Sequence, residues 1–123
     1  MTKEYTGLLK DIALEDLNSP IIEKRIVFSP DKHNWPGHVV RYFTLKAGEE
    51  NALHYHDWPH WGLVLKGSGK SYVDGEVFKM EEQGWFYVPP KVHHKFEADP
   101  GEDLHFICMV PEEGDITPVT LVN

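Results

Sequence analysis

The chain has 123 residues, enough for one domain, and it combines eight histidines with a single cysteine, Cys108. One cysteine excludes an intrachain disulfide, and with it a disulfide-stapled secreted fold or a cysteine-built zinc finger. Twenty acidic residues against twelve basic ones give a formal net charge of −8, which disfavours nucleic acid and anionic membranes as partners. The sequence shows neither a signal-peptide pattern nor an apolar run of bilayer-spanning length, so we expect a cytoplasmic protein.

Short runs of β-branched and aromatic residues, separated by glycine and proline turns, predict an all-β sandwich or barrel. Residues 1–22 are predicted to form an N-terminal arm, in which 8–17 is either a short helix or an extended segment, and 23–123 to form the barrel domain. Asp74-Gly75 is a two-residue hairpin signal, and Pro89-Pro90 ends a strand. The predicted strands are 23–28, 39–45, 52–56, 62–66, 71–73, 76–80, 85–88, 93–98 and 104–110, with a further one in the tail after Pro111.

Three histidines lie close together in the sequence, around a turn between two predicted strands. Because side chains alternate along a strand, His54 and His56 share one face. Two neighbouring neutral imidazoles can each give a lone pair to one metal ion, which resolves the cost of burying them without partners. His60 follows where the chain enters the next strand, and it is therefore a further candidate ligand.

The same alternation separates the adjacent pair His93 and His94, which must point to opposite faces. His94 shares its face with the apolar Phe96 and Ala98 and is predicted to face the interior, whereas His93 faces water. Any one of these histidines alone is more often an ordinary core or surface residue, but four on short strands of one small β protein favour a metal site. The predicted ligands are His54, His56, His60 and His94.

Two segments resemble the two sequence motifs of the cupin superfamily. Residues 48–67 resemble the first motif, with Gly48 and Gly67 at its ends and the His-x-His pair at the matching spacing. Residues 84–94 resemble the second motif through Pro89 and His94. The resemblance implies a double-stranded β-helix of the jelly-roll type, with a metal ion between two facing sheets.

The sequence departs from the first motif at the motif's glutamate, which His60 replaces, and from the second at a glycine, which Lys91 replaces. A ligand set without a carboxylate disfavours magnesium and calcium. Imidazole suits divalent transition metals, of which the resemblance favours iron or manganese, with nickel, copper or zinc as the others. All-histidine sites occur among cupins, and if His60 does not ligate, three histidines still form a cupin ligand set.

Four further residues are candidates for a substrate pocket around the histidines. Trp58 lies on the turn beside the predicted ligands and is the aromatic residue best placed to contact a substrate. Arg41 and Tyr42 are adjacent mid-strand, so one of them faces the interior; an inward Arg41 would clamp a substrate carboxylate, and an outward one would form a surface ion pair. His105 lies on the last long strand, on the face opposite Cys108, which we expect to be a buried structural thiol.

Three functions are compatible with such a site. The first, which family analogy and the absence of a carboxylate ligand favour, is a mononuclear metal-dependent oxidoreductase of the dioxygenase kind. The second is an isomerase, lyase or sugar-processing enzyme in which the ion is a Lewis acid. Its candidate bases are Tyr42, His105, Glu97 or another tyrosine near the motifs, of which alternation disfavours Glu97. The third is a non-catalytic module that binds a small ligand. Because neutral ligands leave the site locally positive, the expected partner is a small and anionic molecule.

The resemblance also implies a homodimer, because small cupins usually pair through strand exchange or sheet packing. The first predicted strand and the N-terminal arm are the expected exchange elements.

Overall fold

A computed structural model describes residues 5–122, and within them ten strands form two antiparallel sheets that face each other. The strands are β1 Ile22–Phe28, β2 His38–Leu45, β3 His54–Tyr55, β4 His60–Lys66, β5 Ser68–Val73, β6 Glu76–Glu81, β7 Trp85–Val88, β8 His94–Ala98, β9 Leu104–Pro111 and β10 Thr120–Leu121. The first sheet has the order β1-β2-β9-β4-β7, and the second has the order β10-β3-β8-β5-β6. The predicted all-β jelly-roll fold is confirmed.

The N-terminal arm is extended rather than helical along most of its described length. Its apolar segment contains one 3₁₀ turn, Leu9–Asp11, and no longer helix. The arm then lies against β1, where the amide of Glu15 donates to the carbonyl of Lys24 at 2.8 Å and Nε of Arg25 donates to the carbonyl of Ile12 at 2.9 Å. Residues 1–4 of the predicted arm and residue 123 of the predicted barrel lie outside the described residues.

Two short α-helices were not predicted from the sequence: α1, Pro30–His33, and α2, Glu112–Ile116. The glutamates that open α2, Glu112 and Glu113, are both exposed. The helix nevertheless packs on the barrel, because Gly114 is buried beneath the indole of Trp58, which lies 2.6 Å from where a Cβ would stand. Asp115 then reaches back to the first sheet through an ion pair with Lys24.

The hydrophobic core lies between the two sheets. In β9 every second side chain is buried, which places Leu104, Phe106, Cys108 and Val110 on the inner face. Phe106 is the centre of an aromatic cluster, with ring centroids 5.3 to 5.8 Å from those of Phe43, Phe86 and Phe96. This cluster fills one end of the barrel, and the buried histidines occupy the space beside it. No helix within residues 5–122 is long and apolar enough to cross a membrane.

Candidate metal centre

Four buried histidines converge between the sheets. His54 lies in β3 and His56 directly follows that strand, while His60 and His94 open β4 and β8. His54 and His94 are direct partners across the β3–β8 pair, so the second sheet contributes two imidazoles at one level. The four candidate ligand atoms all lie within 4.8 Å of one another. His93, the neighbour that alternation assigns to the surface, is exposed.

In three of these histidines Nδ1 lies against a backbone carbonyl two residues away in sequence. The pairs are His54 Nδ1 with the oxygen of Ala52 at 2.8 Å, His56 Nδ1 with that of Trp58 at 2.7 Å and His94 Nδ1 with that of Val92 at 2.8 Å. A carbonyl oxygen can only accept a hydrogen bond, so Nδ1 carries the proton in each neutral ring. Nε2 therefore keeps a free lone pair on all three, which is the tautomer that a metal ligand needs.

The free Nε2 atoms fit a shared cation. Nε2 of His94 is buried and has no hydrogen-bond partner among the described residues. Nε2 of His56 lies 2.6 Å from Nε2 of His60. A buried nitrogen lone pair without a partner is costly, and one divalent ion among the four rings would satisfy it. The group can therefore hold a metal ion, and its donors are the imidazole nitrogens that transition metals accept.

Burial keeps these imidazoles neutral, as metal ligation requires. Desolvation lowers the pKa of His54, and it lowers the pKa of His56 and of His94 to about 4. The pKa of His60 is lowered furthest, first by burial and then by the nearby charge of Arg41. The four rings are thus neutral at neutral pH, the form in which an imidazole nitrogen can bind a metal.

The stability of the metal-free protein should consequently fall in mild acid. Between the ordinary histidine pKa of 6.5 and the folded value of about 4 for His56 and His94, the unfolded chain binds more protons than the folded one. The stability that comes from keeping these two rings neutral is therefore fully present above pH 6.5 and is lost as the pH falls towards 4. Thermal melts in chelator at several pH values between 7 and 4 measure this loss. His94→Gln should weaken the dependence, and a wild-type melting temperature that is flat over this range contradicts the assignment.

His60 has different neighbours from the other three rings. Its Nδ1 lies 2.7 Å from Sγ of Cys108 and 3.4 Å from a terminal guanidinium nitrogen of Arg41. The same guanidinium nitrogen is 3.4 Å from the Cys108 sulfur. Burial raises the pKa of the Cys108 thiol, and the charge of Arg41 opposes that rise. Cys108 is a buried thiol, as expected, but its contact with the histidine group was not predicted.

Arg41 faces the interior, which decides between the two orientations that the sequence left open. Its guanidinium contacts the Nδ1 edge of His60, on the side of the ring away from the shared centre. A second guanidinium nitrogen lies 3.7 Å from a carboxylate oxygen of Asp115. Arg41 therefore adds positive charge behind the His60 ring, and its contacts do not place it as a clamp on a molecule bound at the histidines. Asp115 could not be found from the sequence, because its short acidic helix carries no motif.

Trp58 belongs to the wall of the site. Its indole stacks on the imidazole of His56, with centroids 4.5 Å apart and planes 4° from parallel. The side chain is buried between that ring and Gly114 of α2, so it fixes the position of the His56 imidazole.

Tyr42 and His105 do not lie at the histidine group. The Tyr42 hydroxyl is 2.7 Å from Nδ1 of His105, and this pair lies on the outer face of the β2–β9 pair. On the same two strands, Arg41 and Cys108 point inward, because each lies on the opposite face of its strand from Tyr42 or His105. The expectation that Tyr42 or His105 lines the metal pocket is corrected by this placement, because the sheet separates them from the four rings.

Comparison with known proteins gives the same family as the motifs. A family model described as a cupin domain matches residues 41–110. The chain is 33% identical over 76 residues to the 1-methylthio-D-xylulose 5-phosphate methylsulfurylase of Rhodospirillum rubrum, covering 62% of this chain and 49% of that protein. It is 29% identical over 110 residues to the L-ectoine synthase of Rhodococcus opacus, covering 88% of this chain and 78% of that protein. The match thus spans about half the length of the methylsulfurylase.

Solved structures agree on the fold. The polyketide cyclase RemF from Streptomyces resistomycificus superposes with a TM-score of 0.83 at 22% identity, covering all of this chain and 87% of the other. A cupin-2 domain from Rhodospirillum rubrum gives a TM-score of 0.79 at 23% identity, covering all of this chain and 83% of that one. The family match covers more than half of the chain and includes all four clustered histidines. With two facing antiparallel sheets and a histidine group between them, this chain belongs to the cupin family.

Proposed function

We propose that this cupin is a metal-dependent enzyme acting on a small anionic organic molecule, with an oxidoreductase reaction of the dioxygenase type as the first candidate. The observation that carries the proposal is the buried group of four neutral histidines, three of them fixed by carbonyls in the ligating tautomer. When bound, a divalent transition metal would supply Lewis acidity and, in the case of iron or manganese, one-electron redox chemistry.

The ligand environment favours an anionic substrate. All four side chains that would hold the ion are neutral, so its charge is not compensated by the ligands. Arg41 adds a buried positive charge 3.4 Å from His60, which Asp115 balances only in part because Asp115 also pairs with Lys24. A small carboxylate, phosphate or enolate would gain from this field.

The first candidate, the oxidoreductase, is supported by what surrounds the ligands. Among residues 5–122, the hydrogen-bond partners of the four rings are backbone carbonyls, Cys108, Arg41 and one another. No carboxylate is among these partners, so they provide no acid–base pair to move a substrate proton. Tyr42 and His105, two of the bases considered from sequence, lie on the outer face.

A second candidate is an isomerase, lyase or sugar-processing reaction that needs no redox change at the site. It is supported by the relative from Rhodospirillum rubrum, which is named for a sugar phosphate. Such a substrate is small and anionic, as the local charge favours. A non-catalytic binding role would give ligand affinity without turnover.

Metal replacement separates these candidates. The chelator-stripped protein would be reconstituted in parallel with iron(II), manganese(II) and zinc(II), then incubated with small diketones, thiols and sugar phosphates. Dioxygen uptake is followed with an electrode and product formation with mass spectrometry. We expect turnover with dioxygen uptake for the iron or manganese protein and none for zinc. Turnover that survives in zinc without dioxygen uptake supports the second candidate instead, and tight binding without product contradicts both.

We further propose that the protein works as a homodimer through the outer face of the first sheet. Trp85 lies on this face, is 78% exposed and lines a groove of about 550 Å³ together with residues that include Trp61, Leu63, Ile107 and Met109. None of the groove residues is charged, so two copies of an acidic chain can meet there with little repulsion. An uncharged apolar patch can face the same patch of a second copy across a two-fold axis, which favours a second copy as the occupant.

Replacing Trp85 with glutamate should convert the protein to a monomer. The change places a charge on each copy at the centre of the proposed contact, where burying it without a partner is costly. Sedimentation velocity at micromolar concentration measures the result, with Val77→Glu on the exposed face of β6 as a matched control that should remain dimeric. A wild-type protein that sediments as a monomer, or a dimeric Trp85→Glu protein, contradicts the proposed interface.

A further inference from the structure

The tautomer of the fourth histidine is not set in the way that the other three are. His54, His56 and His94 each donate Nδ1–H to a carbonyl, whereas Nδ1 of His60 faces Cys108 and Arg41. A guanidinium has only donors, so Arg41 can contact Nδ1 of His60 favourably when that nitrogen is the acceptor. Arg41 therefore favours the tautomer in which Nε2 carries the proton, and a protonated Nε2 cannot bind a metal.

The contact between His60 and His56 reinforces this preference when no cation is bound. Nε2 of His56 has a free lone pair, because its Nδ1 donates to the carbonyl of Trp58. Nε2 of His60 lies 2.6 Å away and can donate to that lone pair. His60 thus has a non-ligating state, with Nδ1 accepting and Nε2 donating, that its neighbours satisfy.

The Cys108 sulfur provides the opposite arrangement. A thiol both donates and accepts, although weakly, so it can accept Nδ1–H of His60 at the observed 2.7 Å. Its own hydrogen can then turn to the carbonyl of Met109, 4.0 Å from the sulfur. In this state Nε2 of His60 is free and points at the same centre as the other three ligands. The thiol remains neutral in both arrangements.

We propose that Cys108 is a positioning residue that makes His60 the fourth metal ligand, by accepting its Nδ1–H against the preference that Arg41 imposes. The proposal rests on the metal-dependent function proposed above. It makes three histidines permanent ligands and the fourth a conditional one, whose ligation depends on a sulfur atom that does not itself bind the metal. Replacing a residue that hydrogen-bonds to a metal ligand typically changes the metal affinity by about 10- to 100-fold.

Cobalt(II) binding tests the proposal without any need for a substrate. The d–d absorption of cobalt reports the number of ligands, and a titration gives its affinity. Cys108→Ala should lower the cobalt affinity by about 10- to 100-fold. It should also give the spectrum of His60→Ala, and the double variant should lose no more than either single one. Cys108→Ser, whose hydroxyl can also accept Nδ1–H, should restore the wild-type spectrum.

Matched controls distinguish positioning from packing. Val110→Ala removes a similar volume from the same buried face of β9, two residues from Cys108, and should leave the cobalt spectrum and affinity unchanged. A Cys108→Ala protein with wild-type affinity and spectrum overturns the inference, as does a sulfur-to-cobalt charge-transfer band in the wild type, which would make Cys108 a ligand. Wild-type protein that binds no cobalt contradicts the metal-dependent function itself, and so is distinguishable from both.

Discussion

His94→Ala should abolish stoichiometric metal binding. His94 is fully buried, its Nδ1 is held by the carbonyl of Val92, and its Nε2 has no partner among the described residues. Removing this ligand takes away one of the three rings whose tautomer the backbone fixes. We expect the affinity for zinc to fall by more than the about 100-fold that loss of an outer contact can cause. Elemental analysis after reconstitution and gel filtration measures the metal content.

The neighbouring residue provides the control for this variant. His93 is adjacent in sequence, carries the same imidazole and is exposed, so His93→Ala should keep about one equivalent of metal. His94→Gln, which retains more of the buried volume, should also lose the metal if the effect comes from ligation. Equal metal content in the His93 and His94 variants would contradict the placement of the site.

Phe106→Ala should be the most destabilising replacement in the apolar core. The side chain is 2% exposed, and its ring packs against three other phenylalanine rings between the sheets. The cavity left behind lies between two hydrogen-bonded sheets that cannot easily close over it. We expect the free energy of unfolding to fall by about 3–5 kcal/mol, the range for buried phenylalanine. Urea denaturation of the metal-free protein measures it.

A phenylalanine on the surface is the control that shows whether the loss of stability comes from burial or from the residue type. Phe78 lies on β6 and is 49% exposed, so Phe78→Ala should cost much less, about 1 kcal/mol or below. Were the two variants to unfold at the same urea concentration, the assignment of Phe106 to the core would be wrong.

The strands could be predicted because their signals are local. Turn residues such as Asp74-Gly75 and Pro89-Pro90 bound the strands, and alternation identified the inner face of β8. The short helix α2 could not be predicted, since its acidic residues resemble a solvated turn. What holds it is the contact of Gly114 with Trp58, which arises only after the chain has folded. The arm was ambiguous for the same reason, because hydrogen bonds to β1 decide its extended form.

The four histidines could be predicted as a group from the sequence, but the residues that surround them could not. Alternation and motif spacing predict that His54, His56, His60 and His94 lie together, because both signals are read from residues that are near one another in sequence. The contact of His60 with Cys108 joins residues 48 positions apart and depends on the pairing of β4 with β9. The position of Tyr42 was open in the same way, since alternation alone does not say which of two adjacent residues faces inward.

X-ray absorption spectroscopy of the zinc-reconstituted protein tests most directly whether the four histidines hold one metal ion. We predict one zinc per chain with four imidazole nitrogens at about 2.0–2.1 Å and no sulfur ligand. The cysteine and the guanidinium beside His60 would then lie outside the ligand shell, as their distances indicate. A chain that retains no zinc after gel filtration, or whose zinc shows no imidazole scattering, would contradict the account.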